Sequence, residues 1–326
     1  IEGNNYFKLR DIGKAFDFGV TWDGESKTIM IDTSTRYTTD RTYTNIYFDY
    51  TDEIAALDKK NSGFTTPPAA DIGIFVEDEK GATGVVLVAA PDSEGDYYLN
   101  ALVAGNALTF SGDITAAASE TGDRKTELTV QDGKFTITPK PINADNPVDE
   151  IITITKQDGT AIRVHTVNDY MPGMQVIMNA DVKPQAGVYT FLVDKFCLRV
   201  DTDEYIVYYR NLACLGDHSA ANFKPQDTAD GRFYTFFVEL NPALRGMGYV
   251  SGMYVVMDEN YKEIDYITLL PSNDKDHTHG EGYLDEHEFL LLGRNHWISL
   301  SYTKLHVSNL PSGGIGGGTE AYVQAG

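Results

Sequence analysis

The sequence predicts an all-β protein, a β-sandwich followed by the first blades of an incomplete β-propeller, and three observations carry this prediction. Tyrosine, which occurs 20 times, recurs with valine, isoleucine, threonine and phenylalanine, and these residue types favour strands. Between residues 69 and 168, short apolar runs bounded by Gly, Asp, Asn and Pro follow one another roughly every 8–12 residues, which is typical of a sandwich. From residue 172 onward the hairpins lengthen and repeat, which is typical of propeller blades.

The first segment, residues 1–35, is predicted to contain one helix and two short strands. Apolar side chains recur at mostly helical spacing between Phe7 and Phe16, and Gly19 is a typical helix stop. The run VTWDGESKTIMID that follows predicts two strands around a turn at Asp23-Gly24 and Ser26-Lys27. This segment is therefore a small α+β piece.

Residues 36–68 are polar and threonine-rich and are predicted to be a connector. One strand is expected at Thr44–Tyr50 and a short helix at Asp52–Lys59. The pair Pro67-Pro68 disfavours any continuation of a helix into the next segment.

The sandwich segment, residues 69–168, ends in its clearest hairpin, IITITKQDGTAIRVHTV. This run alternates apolar and polar residues on both sides of an Asp158-Gly159 turn. His165 alternates with apolar neighbours on the second strand. We therefore expect it to be a strand-surface histidine or a hydrogen-bonded core histidine rather than a metal ligand.

The propeller segment, residues 169–326, contains hairpins whose turns carry D-x-D/E or DEN sequences. The last complete hairpin is Gly282–Tyr302, GYLDEHEFLLLGRNHWISLSY, and a further strand is predicted in EAYVQAG at the end. A propeller stabilises itself by stacking successive blades around a ring. One and a half blades cannot do that, so we expect the propeller to be incomplete.

Composition excludes several classes of function. The net charge of −22 argues against binding to nucleic acid, where phosphate neutralisation dominates, and against anionic membrane surfaces. No apolar run approaches the roughly 18 residues of a membrane span. Cys197 and Cys214 are too few for a disulfide framework, and we expect two buried free thiols.

His287 is the sharpest candidate for a catalytic residue. It stands among three carboxylates, Asp285, Glu286 and Glu288, at the mouth of the last hairpin. A neighbouring carboxylate can orient an imidazole and raise its basicity, and histidine suits acid–base work near neutral pH. Two non-catalytic interpretations remain: an exposed loop histidine, or a histidine that is hydrogen-bonded to the backbone of a turn.

The run DKDHTHGEGYLDEH has the composition of a metal site, with His277 and His279 as weak candidate ligands. A His-x-His pair on a strand places both rings on one face. The spacing is not that of a known tight motif and no cysteine joins it, so a solvated polar loop is the alternative. The glycine-rich run Ser312–Gly318 lacks the pattern of a phosphate-binding loop and is expected to be a flexible loop.

Two stretches near the N-terminus, Asn4–Asp11 and Val20–Gly24, resemble the C-terminal part of the copper amine oxidase-like N-terminal domain. That module is a stalk found on many bacterial surface proteins, and the match covers about a tenth of the chain. It implies no copper chemistry, since this stretch has no His and no Cys. The match starts in the middle of the domain, which indicates N-terminal truncation.

From about residue 169 onward the chain resembles the bacterial aryl-sulfate sulfotransferases, the arylsulfotransferase family. The matching pieces, in the family's order, are Pro172 with Gly187–Tyr189, Leu198–Arg210, Tyr254–Leu270 and Gly280–Thr303. The resemblance covers about 40% of the chain. It implies a β-sandwich followed by a six-bladed β-propeller, and sulfuryl transfer from a phenolic sulfate ester to a phenol through a sulfohistidine, without a cofactor.

Within this resemblance, His287 matches a recurring acidic-His-acidic-aromatic blade opening and is expected to assist the leaving group, not to act as the nucleophile. The family's nucleophilic histidine and channel arginine lie in later blades, and Arg294 in the hairpin turn is not assigned that role. We therefore expect a C-terminally truncated, inactive fragment of an extracellular or cell-surface enzyme. The alternative is a non-catalytic surface binding or adhesion module.

Overall fold

A computed structural model describes residues 9–34, 37, 65–82, 84–88, 92–144, 149–167, 181, 185–241, 250–269, 272–273, 277–279, 284–301, 303–307 and 321–325. In this part of the chain nearly all regular structure is β, so the protein is all-β as predicted. Contacts divide the chain into two compact units, Ile1–Leu57 and Asp58–Gly326. The sequence-based division at residues 35, 68 and 168 stays a prediction.

The first unit contains helix α1 (Leu9–Ala15) and strands β1 (Gly19–Asp23) and β2 (Thr28–Asp32), which pair antiparallel. This confirms the predicted helix and hairpin, although the helix ends at Ala15 and Gly19 opens the first strand. The carboxylate of Asp23 holds the turn by accepting a hydrogen bond from the Glu25 N–H at 2.9 Å. The strand and helix predicted within residues 44–59 lie outside the described residues.

The second unit begins with ten strands, and the Asp-Gly hairpin is confirmed as its pair β11–β12. These strands, β3 to β12, are Ile74–Asp78, Tyr97–Tyr98, Ala101–Val103, Leu108–Gly112, Ala116–Thr121, Arg124–Leu128, Lys134–Ile137, Ile142–Asn143, Ile151–Thr155 and Ala161–His165. One sheet has the order β3-β6-β9 and a second has the order β4-β12-β11-β7-β8. All neighbours in the two sheets are antiparallel except β4 and β12.

Thirteen further strands follow in the described residues, with one 3-10 helix at Ala213–Leu215. Strands β13 to β25 are Val188–Val193, Phe196–Asp201, Tyr205–Asn211, Ala220–Thr228, Gly231–Asn241, Ser251–Met257, Glu263–Ile267, Ser272–Asn273, His277–His279, Leu284–Gly293, His296–Ser301, Thr303–Val307 and Ala321–Ala325. The sheets are β10-β15-β14-β13 with β5 also on β15, β16-β17-β18-β22-β23 with β19 on β18, and β20-β21-β24-β25.

Two hydrophobic clusters hold the second unit together. The larger cluster takes side chains from the β3-β6-β9 sheet, the β4 to β12 sheet and strands β14 to β18, for example Phe110, Ile152 and Phe236. The smaller cluster joins β17 and β18 to β22; its members are Phe233, Phe237, Tyr254, Val256, Ile267, Leu284, Phe289 and Leu291. Burying such side chains is worth roughly 1.5–3 kcal/mol each, so the smaller cluster is what fixes β22 in place.

Aspartates close several of the strand connections in the same way. Asp201 accepts hydrogen bonds from the N–H groups of Asp203 and Tyr205 at 3.0 and 2.9 Å, and Asp258 accepts from Asn260 and Lys262 at 2.8 and 3.0 Å. A carboxylate that binds backbone N–H groups two and four residues on stabilises a tight turn. The acidic turn sequences are therefore structural.

None of the helices in the described ranges has the length and apolar character needed to cross a membrane.

Candidate functional site

The hairpin that carries His287 is β22–β23, and its first residues join the edge of β18. Ser251 pairs with Asp285, and Gly252 pairs with Leu284. On its other side Gly252 lies so close to β17 that a Cβ at this position would come within 1.9 Å of the Val238 carbonyl oxygen. Glycine is therefore the residue that lets β17 and β18 approach here, at the point where the candidate site begins.

Tyr254 holds the backbone of β22 at the site by hydrogen bonds and by ring stacking. Its hydroxyl donates to the carbonyl oxygen of Glu286 at 2.9 Å and lies 3.1 Å from that of Asp285. Its ring stacks on Phe289 with the centroids 4.4 Å apart. The side-chain amide of Asn222, which has a positive φ at a bulge in β16, donates to the Tyr254 hydroxyl at 3.2 Å.

The side-chain amide of Gln226 forms hydrogen bonds to the backbone of β22, in the way that a neighbouring strand does. Its Oε1 accepts the Leu291 N–H at 2.7 Å, and its Nε2 donates to the Phe289 carbonyl at 3.2 Å and to the Thr235 hydroxyl at 2.8 Å. The amide is buried, and buried polar groups of this kind are costly to leave unpaired. This side chain fixes the position of β22 over β16.

Asp285 and His287 form a hydrogen-bonded pair. They lie two residues apart on β22, where the pairing with β23 is irregular between Leu284 and Phe289. The Asp285 side chain is 1% exposed and the His287 side chain 65% exposed. Oδ1 of Asp285 accepts the His287 backbone N–H at 2.7 Å and lies 2.8 Å from Nδ1 of the ring, with Oδ2 at 3.1 Å from Nδ1.

This geometry assigns the two ring nitrogens. A carboxylate can only accept, so in the neutral ring Nδ1 carries the proton and Nε2 keeps its lone pair. Asp285 is locked by two hydrogen bonds to the same residue, whereas the ring edge with Nε2 lies outside them. The pair can therefore take a proton at Nε2 and give it back.

The surroundings of the pair are acidic. Burial raises the pKa of Glu286, and Asp285 and Glu239 raise it further against the opposing effect of His287. Glu288 binds Lys224, and this hydrogen bond lowers the pKa of the Glu288 carboxyl group. Of the three carboxylates that flank His287 in sequence, Asp285 is therefore the one that orients the ring, whereas Glu288 is bound to Lys224 on β16.

The weak metal candidates lie on a different sheet. His277 and His279 belong to β21, which pairs with β20 and β24, so these residues lie on a strand and not in the polar loop offered as the alternative. Their side chains, and the acidic residues Asp276 and Glu281, fall outside the described part of the chain. Among the residues that are described, no three His, Cys, Asp or Glu side chains are grouped so that they could hold a metal ion.

Arg294 lies in the turn between β22 and β23, as predicted, and its backbone N–H donates to Oδ2 of Asp230 at 2.9 Å. The two cysteines are free. Cys197 is buried, and burial raises the pKa of its thiol to about 12. Cys214 is exposed, so the expectation of two buried thiols was wrong for this one, which sits on the short 3-10 helix at the surface. The glycine-rich run 312–318 lies outside the described residues.

Sequence reasoning missed a second histidine cluster. The ring of His165 lies between two carboxylates: Nε2 is 2.8 Å from Oδ2 of Asp96, and Nδ1 contacts Oδ2 of Asp149. Arg163 donates to the same Asp96 oxygen at 2.7 Å, and the Tyr98 ring stacks on the imidazole. The interpretation of His165 as a hydrogen-bonded core histidine fits this geometry, but its partners lie far away in sequence.

The two carboxylates decide the charge of His165. Burial of the ring lowers its pKa, but the hydrogen bonds that the ring donates to Asp96 and Asp149 more than offset this, and the net pKa lies above the usual value. The folded protein thus favours the imidazolium, which can donate to both carboxylates at once. Tyr98 in turn donates to Asp92 at 2.7 Å, so the cluster ties three chain segments together.

A cleft of about 450 Å³ is the other feature that the sequence does not reveal. It opens between β7–β8 and the segment that begins with β9. Its lining residues are Ser119, Thr121, Arg124, Thr126, Leu128, Thr136, Ile137, Thr138, Lys140, Pro141, Ile142, Glu150 and Thr166. We call this the hydroxyl cleft, because six of its side chains carry a hydroxyl group.

Comparison with known proteins found no match: no protein-family model, curated protein or solved structure is significantly similar to the chain. The resemblances to the stalk module and to the aryl-sulfate sulfotransferases therefore stay predictions that depend on the quoted motifs.

Proposed function

We propose that the chain is part of a bacterial aryl-sulfate sulfotransferase, in which His287 handles the proton of the leaving group. The donor is a phenolic sulfate ester and the acceptor is a phenol. The observation that supports this role is the 2.8 Å hydrogen bond between buried Asp285 and Nδ1 of the exposed His287 ring. A histidine held in this way presents one free nitrogen in a defined direction, which is what general acid–base catalysis requires.

The proposed step balances as follows. The S–O bond to the phenolic oxygen breaks, the sulfuryl group passes to a nucleophile other than His287, and the phenolate oxygen takes the proton from Nε2. Asp285 stabilises the imidazolium before the transfer, and the neutral ring afterwards keeps its proton on Nδ1. The same ring then accepts the proton of the phenol that receives the sulfuryl group.

We expect the chain by itself to be inactive on aryl sulfates, because the described groups that interact with His287 are carboxylates and supply no cation for the sulfuryl oxygens. Asp285 and Glu286 lie beside the ring, and Lys224 is bound to Glu288. Stabilising the sulfuryl oxygens requires preorganised cations or donors. The proposal therefore assigns those groups to further propeller blades.

The test uses 4-nitrophenyl sulfate with phenol as acceptor. We expect no 4-nitrophenol release above the buffer rate, but a shift of the His287 imidazole signals in NMR spectra when the ester is added. His296→Gln, on the neighbouring strand of the same hairpin, is the matched control and should leave that shift unchanged. The proposal is overturned if the chain shows neither release nor a shift at His287. If the original chain releases 4-nitrophenol and His287→Gln does not, only the expected inactivity of the chain is contradicted.

The finer architecture belongs to the same proposal: a β-sandwich, then the first blades of a propeller, in a protein at the cell surface or outside the cell. The observed sheets are compatible with this arrangement. A second candidate function is a non-catalytic surface binding module, and the hydroxyl cleft is the observation that favours it. Phenol release that depends on His287 would exclude this second candidate.

A further inference from the structure

One face of the hairpin β7–β8 is polar at its outer end, although the same face packs into the hydrophobic core at its inner end. The register pairs Ser119 with Thr126 and Thr121 with Arg124, so these four side chains share one face of the hairpin. The same face continues at its inner end into Ala117, which belongs to the large hydrophobic cluster. Along these two strands, apolar core side chains are therefore followed by side chains that carry hydroxyl groups. The hydroxyl cleft opens at this boundary.

The opposite wall combines hydroxyl groups with apolar side chains. Thr138 and Lys140 face the cleft, and buried Ile137 and Ile142 line it together with Leu128. A volume of about 450 Å³ lies in the range of small-molecule sites, which are typically 300–1,000 Å³. The cleft is therefore large enough for a ligand and not only for water.

The inner polar groups of the cleft are occupied, whereas the outer ones are available. The Ser119 hydroxyl donates to Glu150, whose backbone N–H donates to the Thr166 hydroxyl at 3.1 Å. By contrast, the hydroxyl groups of Thr121 and Thr126 make no hydrogen bond within the described ranges. A ligand that enters the cleft meets unused donors and acceptors in front of a satisfied inner layer.

Two cations flank these free hydroxyl groups. Arg124 and Lys140 line the cleft and form no ion pair with any residue that the structure describes. By contrast, Lys125, the neighbour of Arg124 on the other face of β8, is paired with Glu120 at 3.3 Å. In a chain of net charge −22, these two cations outnumber Glu150, the one carboxylate among the described lining residues, and so favour an anionic group in this cleft.

We propose that the hydroxyl cleft binds a saccharide that carries a carboxylate or sulfate group. Arg124 and Lys140 hold the anionic group, Thr121 and Thr126 bond to sugar hydroxyls, and Ile137 and Ile142 contact the apolar face of the ring. A mixture of a few convergent polar groups with apolar walls is the usual composition of such a site. This site is independent of His287 and of the proposed sulfuryl transfer.

The test is isothermal titration calorimetry of the whole chain with three matched disaccharides: cellobiouronic acid, cellobiose 6-sulfate and uncharged cellobiose. At least one acidic disaccharide should bind, and cellobiose should bind at least about tenfold more weakly, because a charge-assisted hydrogen bond is lost. The two acidic ligands distinguish a carboxylate from a sulfate. Thermal melting of each variant checks that it is folded.

Arg124→Gln and Lys140→Gln should each weaken binding of the acidic disaccharide about tenfold or more, whereas Lys125→Gln should leave it unchanged. All three side chains are exposed, so the variants should fold as the original chain does. The proposal is overturned if neither acidic disaccharide binds, if cellobiose binds equally well, or if Arg124→Gln and Lys140→Gln behave like Lys125→Gln.

Discussion

Replacing Gln226 with leucine removes the side chain that connects β22 to β16, and we expect a large loss of stability. The substitution nearly keeps the volume but takes away three hydrogen bonds, to the Leu291 N–H, the Phe289 carbonyl and the Thr235 hydroxyl. Phe289 and Leu291 belong to the smaller hydrophobic cluster. Water therefore reaches their backbone groups only if β22 lifts away from β16.

The magnitude follows from counting the groups that lose a partner. Each buried donor or acceptor left without a hydrogen bond costs about 1–3 kcal/mol. The Thr235 hydroxyl loses a donor, and the two backbone groups alone, the Leu291 N–H and the Phe289 carbonyl, cost roughly 2–6 kcal/mol together. A domain of this kind has about 5–15 kcal/mol of stability in total, so the variant should be severely destabilised around β22.

The matched control is Lys224→Gln, which removes another link between the same two strands. The Lys224–Glu288 pair is largely exposed, so its loss should cost about 0–1 kcal/mol. Urea unfolding followed by tryptophan fluorescence compares the two. The sequence has two tryptophans, and a Trp22→Phe background leaves Trp297, whose ring stacks near Phe289 at 6.0 Å, as the reporter of β22–β23.

Native-state hydrogen exchange gives a second reading, because the Leu291 amide should lose its protection in Gln226→Leu. If Gln226→Leu were no less stable than Lys224→Gln, and Leu291 stayed protected, the idea that this buried amide positions β22 would be refuted.

Two further predictions concern titratable groups away from β22. Because Asp96 and Asp149 raise the pKa of His165 in the folded state, its stabilising contribution should be complete below its unfolded pKa of about 6.5 and be lost as pH rises through the folded pKa. The difference in unfolding free energy between the original chain and His165→Gln should therefore shrink from pH 6 to pH 8. Ellman's reagent should label exposed Cys214 in the native protein, although partial burial raises the pKa of its thiol and slows the reaction, and should label Cys197 only after unfolding.

Each of these predictions has a contrary outcome. A stability difference between the original chain and His165→Gln that grows with pH would mean that the folded state holds the ring neutral. Rapid labelling of two thiols without denaturant would place Cys197 at the surface.

The sequence predicted those strands whose evidence is local. The hairpin of β11 and β12 follows from strict alternation and from Asp158-Gly159, where Gly159 takes the positive φ that the turn needs. Strand β7 was missed because AAASET is rich in alanine and has little strand propensity. Strand β16 was missed because Pro225 argues against a strand, but β16 is at the edge of its sheet, where proline is tolerated.

The same distinction applies to the candidate site. Asp285 and His287 are only two residues apart, so sequence proximity anticipated this pair, although the pairing of β22 is irregular here. Gln226 and Tyr254, which hold this strand in place, are separated from their partners on β22 by between 31 and 65 residues. Nothing in the local pattern marks such residues, because their importance arises only when the sheet has formed.

The protonation of His287 is the most direct test of the proposed role. Long-range ¹H–¹⁵N NMR correlation distinguishes the two neutral forms of an imidazole, and the His287 signals are those that vanish in His287→Gln among the seven histidines. The hydrogen bond to Asp285 predicts that the neutral ring is protonated on Nδ1, with Nε2 free, and that Asp285→Ala loses this preference. A ring protonated on Nε2 in the original chain would contradict the account, because that nitrogen could then accept no proton.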